Sequence, residues 1–192
     1  MTNLARTAQL DILVEGYARR PNVAGTVSLV RDADRVIIVD PGMVAARDLI
    51  LCPLRELGVR PEDVTDIVIS HHHPDHTVNI ALFPMVPVHD FQWVLEGDVI
   101  RTRDADGVHL APSVRLLATP GHTPQDITTL VGTPEDVHAL THLWWSAEGP
   151  ADDPYAPDRE LLREQRERVL QLAGVVVPGH GAPFRPSGST PR

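Results

Sequence analysis

The sequence predicts a mixed α/β fold, an α+β arrangement of short strands and few helices, on three observations. Runs rich in β-branched residues are bounded by glycine, proline or polar turns, as in "TDIVIS" and "VVVPGHG". Stretches with helical spacing lie between some of these runs. Three predicted strands end in a turn that carries histidine, and strand ends are where α/β folds gather polar groups around a site.

The first half of the chain begins with two expected strands, at 23–31 and 35–39, joined by a polar turn. The stretch 43–58 has helical spacing, although Pro53 should kink or split the helix. "TDIVIS" predicts a buried strand, and "HTVNIALF", at 76–83, predicts a helix after the histidine turn.

The second half predicts strands in "VRLLATPGHT", "DITTLVG", "VHALTHLWW" and "VVVPGHG". The charged segment "DRELLREQRERVLQLAG" is typical of an amphipathic helix that Asp158 caps and Gly174 ends. We therefore expect a single domain over residues 1–186, followed by a disordered tail over 187–192.

Composition excludes several classes of protein. The chain has 192 residues, 42% of them hydrophobic, which suffices for one domain with a substantial core, and no stretch is long and apolar enough to span a membrane. A net charge of −9 disfavours nucleic acid as a partner. With Cys52 as the only cysteine and no secretion signal pattern, we expect a cytoplasmic protein.

The segment "ISHHHPDH", at 69–76, has the spacing of a metal site. In an extended chain His71 and His73 point the same way and can reach one ion, while His72 points away. Asp75 and His76 follow at the turn into a helix and can face a second ion. Zinc accepts nitrogen and carboxylate ligands, and a catalytic zinc takes three protein ligands and a water.

The two later histidine turns complete two ligand sets. His71 and His73 with His122, from "TPGHT", form the first set. Asp75 and His76 with His180, from "VPGHG", form the second. We therefore expect one or two divalent ions, with zinc first and iron or manganese as alternatives.

The motifs H-x-H-x-D-H, "TPGHT" and "VPGHG", in this order, resemble the metallo-β-lactamase superfamily over about residues 10–186. More narrowly, "VVVPGHGAPFR" is similar to the compact metallo-β-lactamase domain-containing branch. The resemblance implies a four-layer αββα sandwich with the metals at one edge. It also implies that Asp40, in "IIVDPG", hydrogen-bonds a ligand histidine, which agrees with the usual anchoring of metal-bound imidazoles.

One position departs from the superfamily pattern. Most two-metal members carry an aspartate that touches both ions, and the matching residue here is His142, with no acid between 137 and 147. A neutral imidazole has a single lone pair and cannot bridge two ions. His142 could bind the second ion alone, the second ion could bind weakly, or the site could have lost turnover. We predict a weaker second ion and a preference for anionic substrate groups.

The aromatic loop after His142 could form a wall of the substrate pocket through Trp144, Trp145 or Tyr155, although tryptophans this close to a strand can equally pack in the core.

The leading functional expectation is a metal-dependent hydrolase, with a small ester, thioester, lactone or phosphoester as substrate and Asp75 as the catalytic carboxylate. Two alternatives stay open: a mononuclear iron oxygenase of the same superfamily, and a metal-binding protein without turnover. A nuclease is disfavoured by the acidic charge. Nothing in the sequence indicates the oligomeric state.

Overall fold

Fourteen strands and three α-helices make up the regular structure of residues 4–192, the part of the chain that the structure, a computed structural model, describes. Residues 1–3 of the predicted domain 1–186 lie outside the described residues. The strands are β1 (Gln9–Val14), β2 (Tyr17–Arg19), β3 (Asn22–Ala24), β4 (Val27–Asp32), β5 (Arg35–Val39), β6 (Asp66–Val68), β7 (Val88–His89), β8 (Trp93–Glu96), β9 (Val99–Thr102), β10 (His109–Ala111), β11 (Val114–Ala118), β12 (Ile127–Gly132), β13 (Val137–Thr141) and β14 (Val175–Pro178). The helices are α1 (Asp48–Glu56), α2 (Pro74–Thr77) and α3 (Arg159–Leu170), with single 3₁₀ turns at Pro61–Asp63 and Ile80–Leu82.

Most of the strands form two large sheets. The larger sheet has the order β1-β4-β5-β6-β7-β8-β9, and the smaller has the order β10-β11-β12-β13-β14. Strand β6 is parallel to both of its neighbours, and β13 is parallel to β14. Strands β2 and β3 form a separate antiparallel hairpin. Because parallel neighbours end at the same edge of a sheet, the segments after β5 and β6 lie side by side, as do those after β13 and β14.

The two large sheets pack face to face. Successive side chains of a strand point to opposite faces, so each sheet has one face toward the other sheet and one face away from it. Val30 of the larger sheet and Leu116 and Val131 of the smaller sheet belong to one buried cluster between the sheets. Their chain neighbours Leu29 and Leu117 belong instead to two separate clusters on the outer faces. The alternation therefore divides each sheet into an inner and an outer apolar face.

Each outer face is covered by a helix. Ile50 and Leu54 of α1 are fully buried in the cluster outside the larger sheet. Leu162 and Val169 of α3 are buried outside the smaller sheet. Asp158 caps α3 as predicted, because its carboxylate accepts from the backbone N–H groups of the first turn. The order helix, sheet, sheet, helix confirms the four-layer αββα sandwich. No helix within residues 4–192 combines the length and apolar character that crossing a bilayer requires.

Two predicted elements differ from the structure around the histidine segment. The strand expected over 23–31 is split between β3 and β4, because Gly25 N–H donates to Asp75 O (3.1 Å). The helix expected over 76–83 is wrong beyond Thr77. There the side chain of Asn79 donates to Gly42 O (2.6 Å), which turns the chain away from the helical path.

Two further predictions are corrected by the structure. Pro53 lies inside α1 without splitting it, and the helix begins at Asp48 instead of near residue 43. The tail over 187–192, expected to be disordered, packs against the domain. Thr190 is buried, and the indole N–H of Trp144 donates to Pro191 O (2.8 Å).

Candidate metal centre

Four strand ends deliver histidines to one place in the fold. β6 leads into the segment that carries His71, His73 and His76, and the turns after β11, β13 and β14 carry the remaining histidines of the site. Gly42 allows the close approach of α2, because a Cβ there would overlap the carbonyl of Asp75. The sheet topology therefore brings histidines that are far apart in the sequence together in one cluster.

The structure brings all seven predicted ligand residues together in two adjacent groups whose donor atoms lie within 4.8 Å of one another in each group. The first, here the three-histidine position, comprises His71, His73 and His122. The second, here the Asp75 position, comprises Asp75, His76, His142 and His180. His72 belongs to neither group. Its Nε2 lies 3.1 Å from Asp90 Oδ2, so it points away as expected.

The donor atoms have the separations that one tetrahedral ion requires. Zinc bound at about 2.0–2.1 Å holds its nitrogen ligands about 3.3 Å apart. In the three-histidine position, His73 Nδ1 lies 2.9 Å from His71 Nε2 and 3.2 Å from His122 Nε2. In the Asp75 position, Asp75 Oδ2 lies 3.4 Å from His76 Nε2 and 3.6 Å from His180 Nε2.

Hydrogen bonds at Nδ1 place the lone pair of several rings on Nε2, facing the cluster. His71 Nδ1 donates to Ser70 Oγ (3.0 Å), and His180 Nδ1 donates to Ala24 O (2.9 Å). His76 Nδ1 donates to Asp40 Oδ2 (2.9 Å), and its Nε2 is buried without a hydrogen-bond partner in residues 4–192. A buried imidazole nitrogen that faces other donor atoms without forming a hydrogen bond fits a metal ion.

Asp40 holds both the Asp75 position and the start of the histidine segment. Its Oδ2 accepts from His76 Nδ1 and from Ser70 Oγ (2.7 Å), and its Oδ1 accepts from Ser70 N–H (2.6 Å). The residue has a positive φ of 54°, a conformation that aspartate tolerates better than most residues. Asp40 therefore lies where the resemblance implied, in contact with a ligand histidine.

Asp153 anchors a histidine of the three-histidine position, as Asp40 anchors His76. Its Oδ2 accepts from His122 Nδ1 (2.7 Å) and from Trp145 Nε1 (2.8 Å), and its Oδ1 accepts from Tyr155 N–H. Burial raises the pKa of Asp153, but the hydrogen bonds from His122 and Tyr155 outweigh burial and hold the pKa below its ordinary value. Sequence reasoning assigned this residue no role, because nothing in the spacing of the 146–158 loop links it to His122.

His142 differs from the other buried ligand histidines in having no anchor. Its Nε2 lies 3.2 Å from His180 Nε2, while its Nδ1 is buried without a partner in the described chain. The ring also lies close to the other group, with its centroid 4.1 Å from that of His122. It fits there because residue 179 is glycine: a Cβ at Gly179 would lie 2.6 Å from His142 Nε2.

The electrostatic environment keeps most of the ligand rings neutral, the form that binds metal. Burial, followed by the neighbouring histidines, lowers the pKa of His71 and of His142 well below the ordinary value. The pKa of His76 is shifted in the opposite direction. Burial lowers its pKa, but Asp40 and Asp75 outweigh burial and raise the pKa to about 9. An ion that binds at the Asp75 position must therefore displace a proton from His76 at neutral pH.

A cavity of about 820 Å³ opens onto the two groups. Trp145 and Tyr155 line it with their rings stacked, 5.8 Å apart at 18°. Trp144 does not line it and is fully buried under α3 with Leu143 and Leu162, so the expected part of Trp144 in a substrate wall is wrong. The alternation of adjacent side chains sends one tryptophan to the core and the other to the cavity. Contact of Trp145 and Tyr155 with a substrate stays a prediction.

Replacing Asp153 by asparagine is expected to weaken metal binding at the three-histidine position by about 10- to 100-fold. The change keeps the size of the side chain and removes the charge that holds the proton on His122 Nδ1. Competition with a chromophoric chelator measures the affinity. Asp152→Asn is the matched control, because Asp152 is exposed and pairs with Arg159 (3.3 Å). Equal affinities of the two variants would contradict the role of Asp153.

Comparison with known proteins indicates the same class of protein as the fold and the cluster of potential metal-binding side chains. The sequence profile of the metallo-beta-lactamase superfamily matches residues 20–85. A relative from Xenopus laevis is 30% identical over an alignment that covers 92% of this chain and 81% of the relative. The chain therefore belongs to the metallo-β-lactamase superfamily.

Within the superfamily, the Xenopus laevis relative is metallo-beta-lactamase domain-containing protein 1. The Mus musculus protein of the same name is 38% identical over 78% of this chain, which spans only 60% of the mouse protein. N-acyl homoserine lactonase from Bacillus sp is 26% identical, over 69% of this chain and 62% of the lactonase.

Solved structures share the fold at lower sequence identity. A Thermotoga maritima protein assigned to the metallo-beta-lactamases superposes with a TM-score of 0.73, covering 94% of this chain and 100% of that one, at 21% identity. A second structure, determined in a di-iron-bound form, has a TM-score of 0.65 and 20% identity, over 90% of this chain and 94% of that one. Superfamily membership and the donor clusters together indicate a divalent metal site without identifying the metal.

Proposed function

We propose that this protein is a metal-dependent hydrolase that acts on a small ester, thioester, lactone or phosphoester. The observation that carries the proposal is the convergence of seven donor side chains at one side of a cavity large enough for a small molecule. Relatives named for hydrolysis, such as the lactonase and a hydroxyacylglutathione hydrolase, support this class of reaction. Their substrates differ, so the fold alone does not select one.

The donor set suits zinc, with iron as the alternative that the di-iron-bound structure supports. When bound there, a divalent ion lowers the pKa of water and polarises a carbonyl or phosphoryl oxygen. His71, His73 and His122 would hold one ion. Asp75 and His76, with His142 and His180, would hold the other.

Asp75 is the proposed catalytic carboxylate. It lines the cavity, with Oδ2 directed at the ligand histidines, so its other oxygen can accept a hydrogen bond from the attacking water and orient it. Burial raises the pKa of Asp75, but His76, whose Nε2 lies 3.4 Å from Asp75 Oδ2, outweighs burial and lowers the pKa to about 2. Asp75 is therefore ionised at neutral pH and accepts hydrogen bonds without donating them.

The experiment that tests the proposal combines metal analysis with a hydrolysis panel. Protein purified without added metal is analysed for zinc, iron and manganese per chain. It is then assayed with 4-nitrophenyl acetate, S-lactoylglutathione, an N-acyl homoserine lactone and bis(4-nitrophenyl) phosphate. We expect hydrolysis of at least one of these, its loss after dialysis against a chelator, and its return with zinc.

The same experiment separates the alternatives. Hydrolysis that survives removal of all metal would refute the proposed role of the cluster. One iron per chain, with oxygen consumption and no hydrolysis, would favour an oxygenase. Bound metal with neither activity would favour a metal-binding protein without turnover.

A further inference from the structure

The tip of the β2–β3 hairpin overhangs the metal cavity. Arg19 pairs with Asn22 in the hairpin, so Arg20 and the following proline form the turn. Ala18 and Arg20 line the cavity, together with Pro21, Asn22 and Val23, whereas Arg19 does not. The hairpin therefore places one of its two adjacent arginines in the cavity.

The base of this hairpin is fixed to the metal ligands. Gly25 N–H donates to the backbone carbonyl of Asp75 (3.1 Å), and the imidazole of His180 donates to the carbonyl of Ala24 (2.9 Å). A Cβ at Gly25 would overlap the carbonyl of Asp75, so the two backbones are in close contact. The position of the hairpin is consequently coupled to the position of the ligands.

The tip is also joined to the opposite wall of the cavity. Arg20 Nη2 donates to the hydroxyl of Tyr155 (3.2 Å). The ring centroid of Tyr155 lies 5.6 Å from that of His122 and 6.1 Å from that of His73. The guanidinium of Arg20 is therefore separated from the three-histidine position by the length of one tyrosine side chain.

The charged groups that line the cavity do not pair with the Arg20 guanidinium, which can therefore bind an anion. Among residues 4–192, Arg20 has no ion-pair partner, and its hydrogen bond to Tyr155 uses one of the five N–H donors of an arginine. Asp75 is the one carboxylate among the described residues that line the cavity, and it faces His76 and His180. On a chain with a net charge of −9, a free guanidinium beside the ligands is a local exception to the overall charge.

We propose that Arg20 and Tyr155 form a subsite for an anionic group of the substrate, a carboxylate or a phosphate, carried a few bonds from the group that reacts. This inference rests on the proposed hydrolase function and narrows its substrate class. The planar guanidinium binds carboxylate and phosphate oxygens with charge-assisted hydrogen bonds, and the Tyr155 hydroxyl can donate one more.

The test compares how tightly the metal-loaded protein binds small compounds with one anionic group and compounds with an anionic group at each end, here called two-ended. Glutarate and 4-phosphonobutyrate each carry a second anionic group, whereas butyrate carries only the carboxylate that the ions could bind. Calorimetric titration should show wild type binding both two-ended compounds about tenfold or more tightly than butyrate. In Arg20→Gln that preference should disappear for at least one of them, and the compound affected identifies the anion.

Arg19→Gln is the matched control, because it removes the same charge one residue away, outside the cavity. Arg19→Gln should keep the preference for the two-ended compounds over butyrate within about twofold. Tyr155→Phe should lose part of this preference. Equal binding of glutarate, 4-phosphonobutyrate and butyrate to wild type, or equal losses in the two arginine variants, would overturn the proposal.

Rates give a second readout that separates the two proposals. The kcat/KM for mono-(4-nitrophenyl) glutarate relative to 4-nitrophenyl pentanoate should fall about tenfold in Arg20→Gln, and Arg20→Lys should restore part of it. If neither these esters nor any compound of the hydrolysis panel is hydrolysed but Arg20→Gln loses the binding preference, the hydrolase function fails and the anion subsite stands. If both esters are hydrolysed with the same ratio in wild type and Arg20→Gln, the subsite fails and the hydrolase function stands.

Discussion

Replacing His73 by alanine is expected to empty the three-histidine position and to lower hydrolysis by at least about 100-fold. His73 Nδ1 lies between the donor atoms of the other two residues, 2.9 Å from His71 Nε2 and 3.2 Å from His122 Nε2. Without it, two donors are left where zinc requires three or four. Metal content per chain and kcat/KM on the best ester of the panel are the measurements.

His72→Ala is the matched control for this variant. His72 is the adjacent histidine, belongs to neither donor group, and contacts Asp90 instead. It should keep the metal content and rate of wild type within about twofold, since a half-exposed side chain away from the site usually has small effects. Loss of metal in both variants, or in neither, would argue against the three-histidine position as a metal site.

His142→Asp is expected to bring the affinities of the two ions closer together. In wild type, the lone pair of His142 serves one ion only, and its Nε2 lies with the Asp75 position. This fourth donor reverses the sequence-based expectation that the ion facing Asp75 and His76 is the weaker one, and we expect the Asp75 position to bind more than about tenfold more tightly than the position with three donors. An aspartate has two oxygens and a negative charge with which to serve both ions.

His142→Asn has nearly the same size as the aspartate and no charge, which makes it the matched control. Asparagine should weaken the Asp75 position by about tenfold or more without strengthening the other. Titration of each metal-free protein with zinc and with cobalt, followed by calorimetry and by the cobalt absorption spectrum, gives the two affinities and the geometry. Two equally tight positions in wild type, or identical titrations of the two variants, would contradict the role assigned to His142.

The fold could be predicted from the sequence wherever the pattern is local and strong. The strands β5, β12 and β14 consist mostly of β-branched or apolar residues, and α3 has a cap and a clear period. The histidine segment could be recognised because four imidazoles and a carboxylate within six positions are typical of a metal site and of little else. The elements that were missed depend on tertiary contacts, such as the side chain of Asn79, which ends α2 by bonding Gly42 O.

The residues of the site that escaped sequence reasoning have no distinctive neighbours in the chain. Asp153 lies in a proline-rich acidic loop, and its bond to His122 joins residues 31 positions apart. Arg20 is one of two adjacent arginines, and only the register of the β2–β3 hairpin decides which of them enters the cavity. Such assignments depend on which turns face each other in space.

The contact between Gly179 and the ring of His142 links two positions that belong to different strand ends. Because a Cβ at Gly179 would overlap this ring, any larger residue at 179 requires the side chain at 142 to shrink first. Single substitutions at 179 should then be harmful on the natural background and tolerated once position 142 is small. The order in which changes accumulate, more than their identity, would decide which variants of this pocket a lineage or a library can reach.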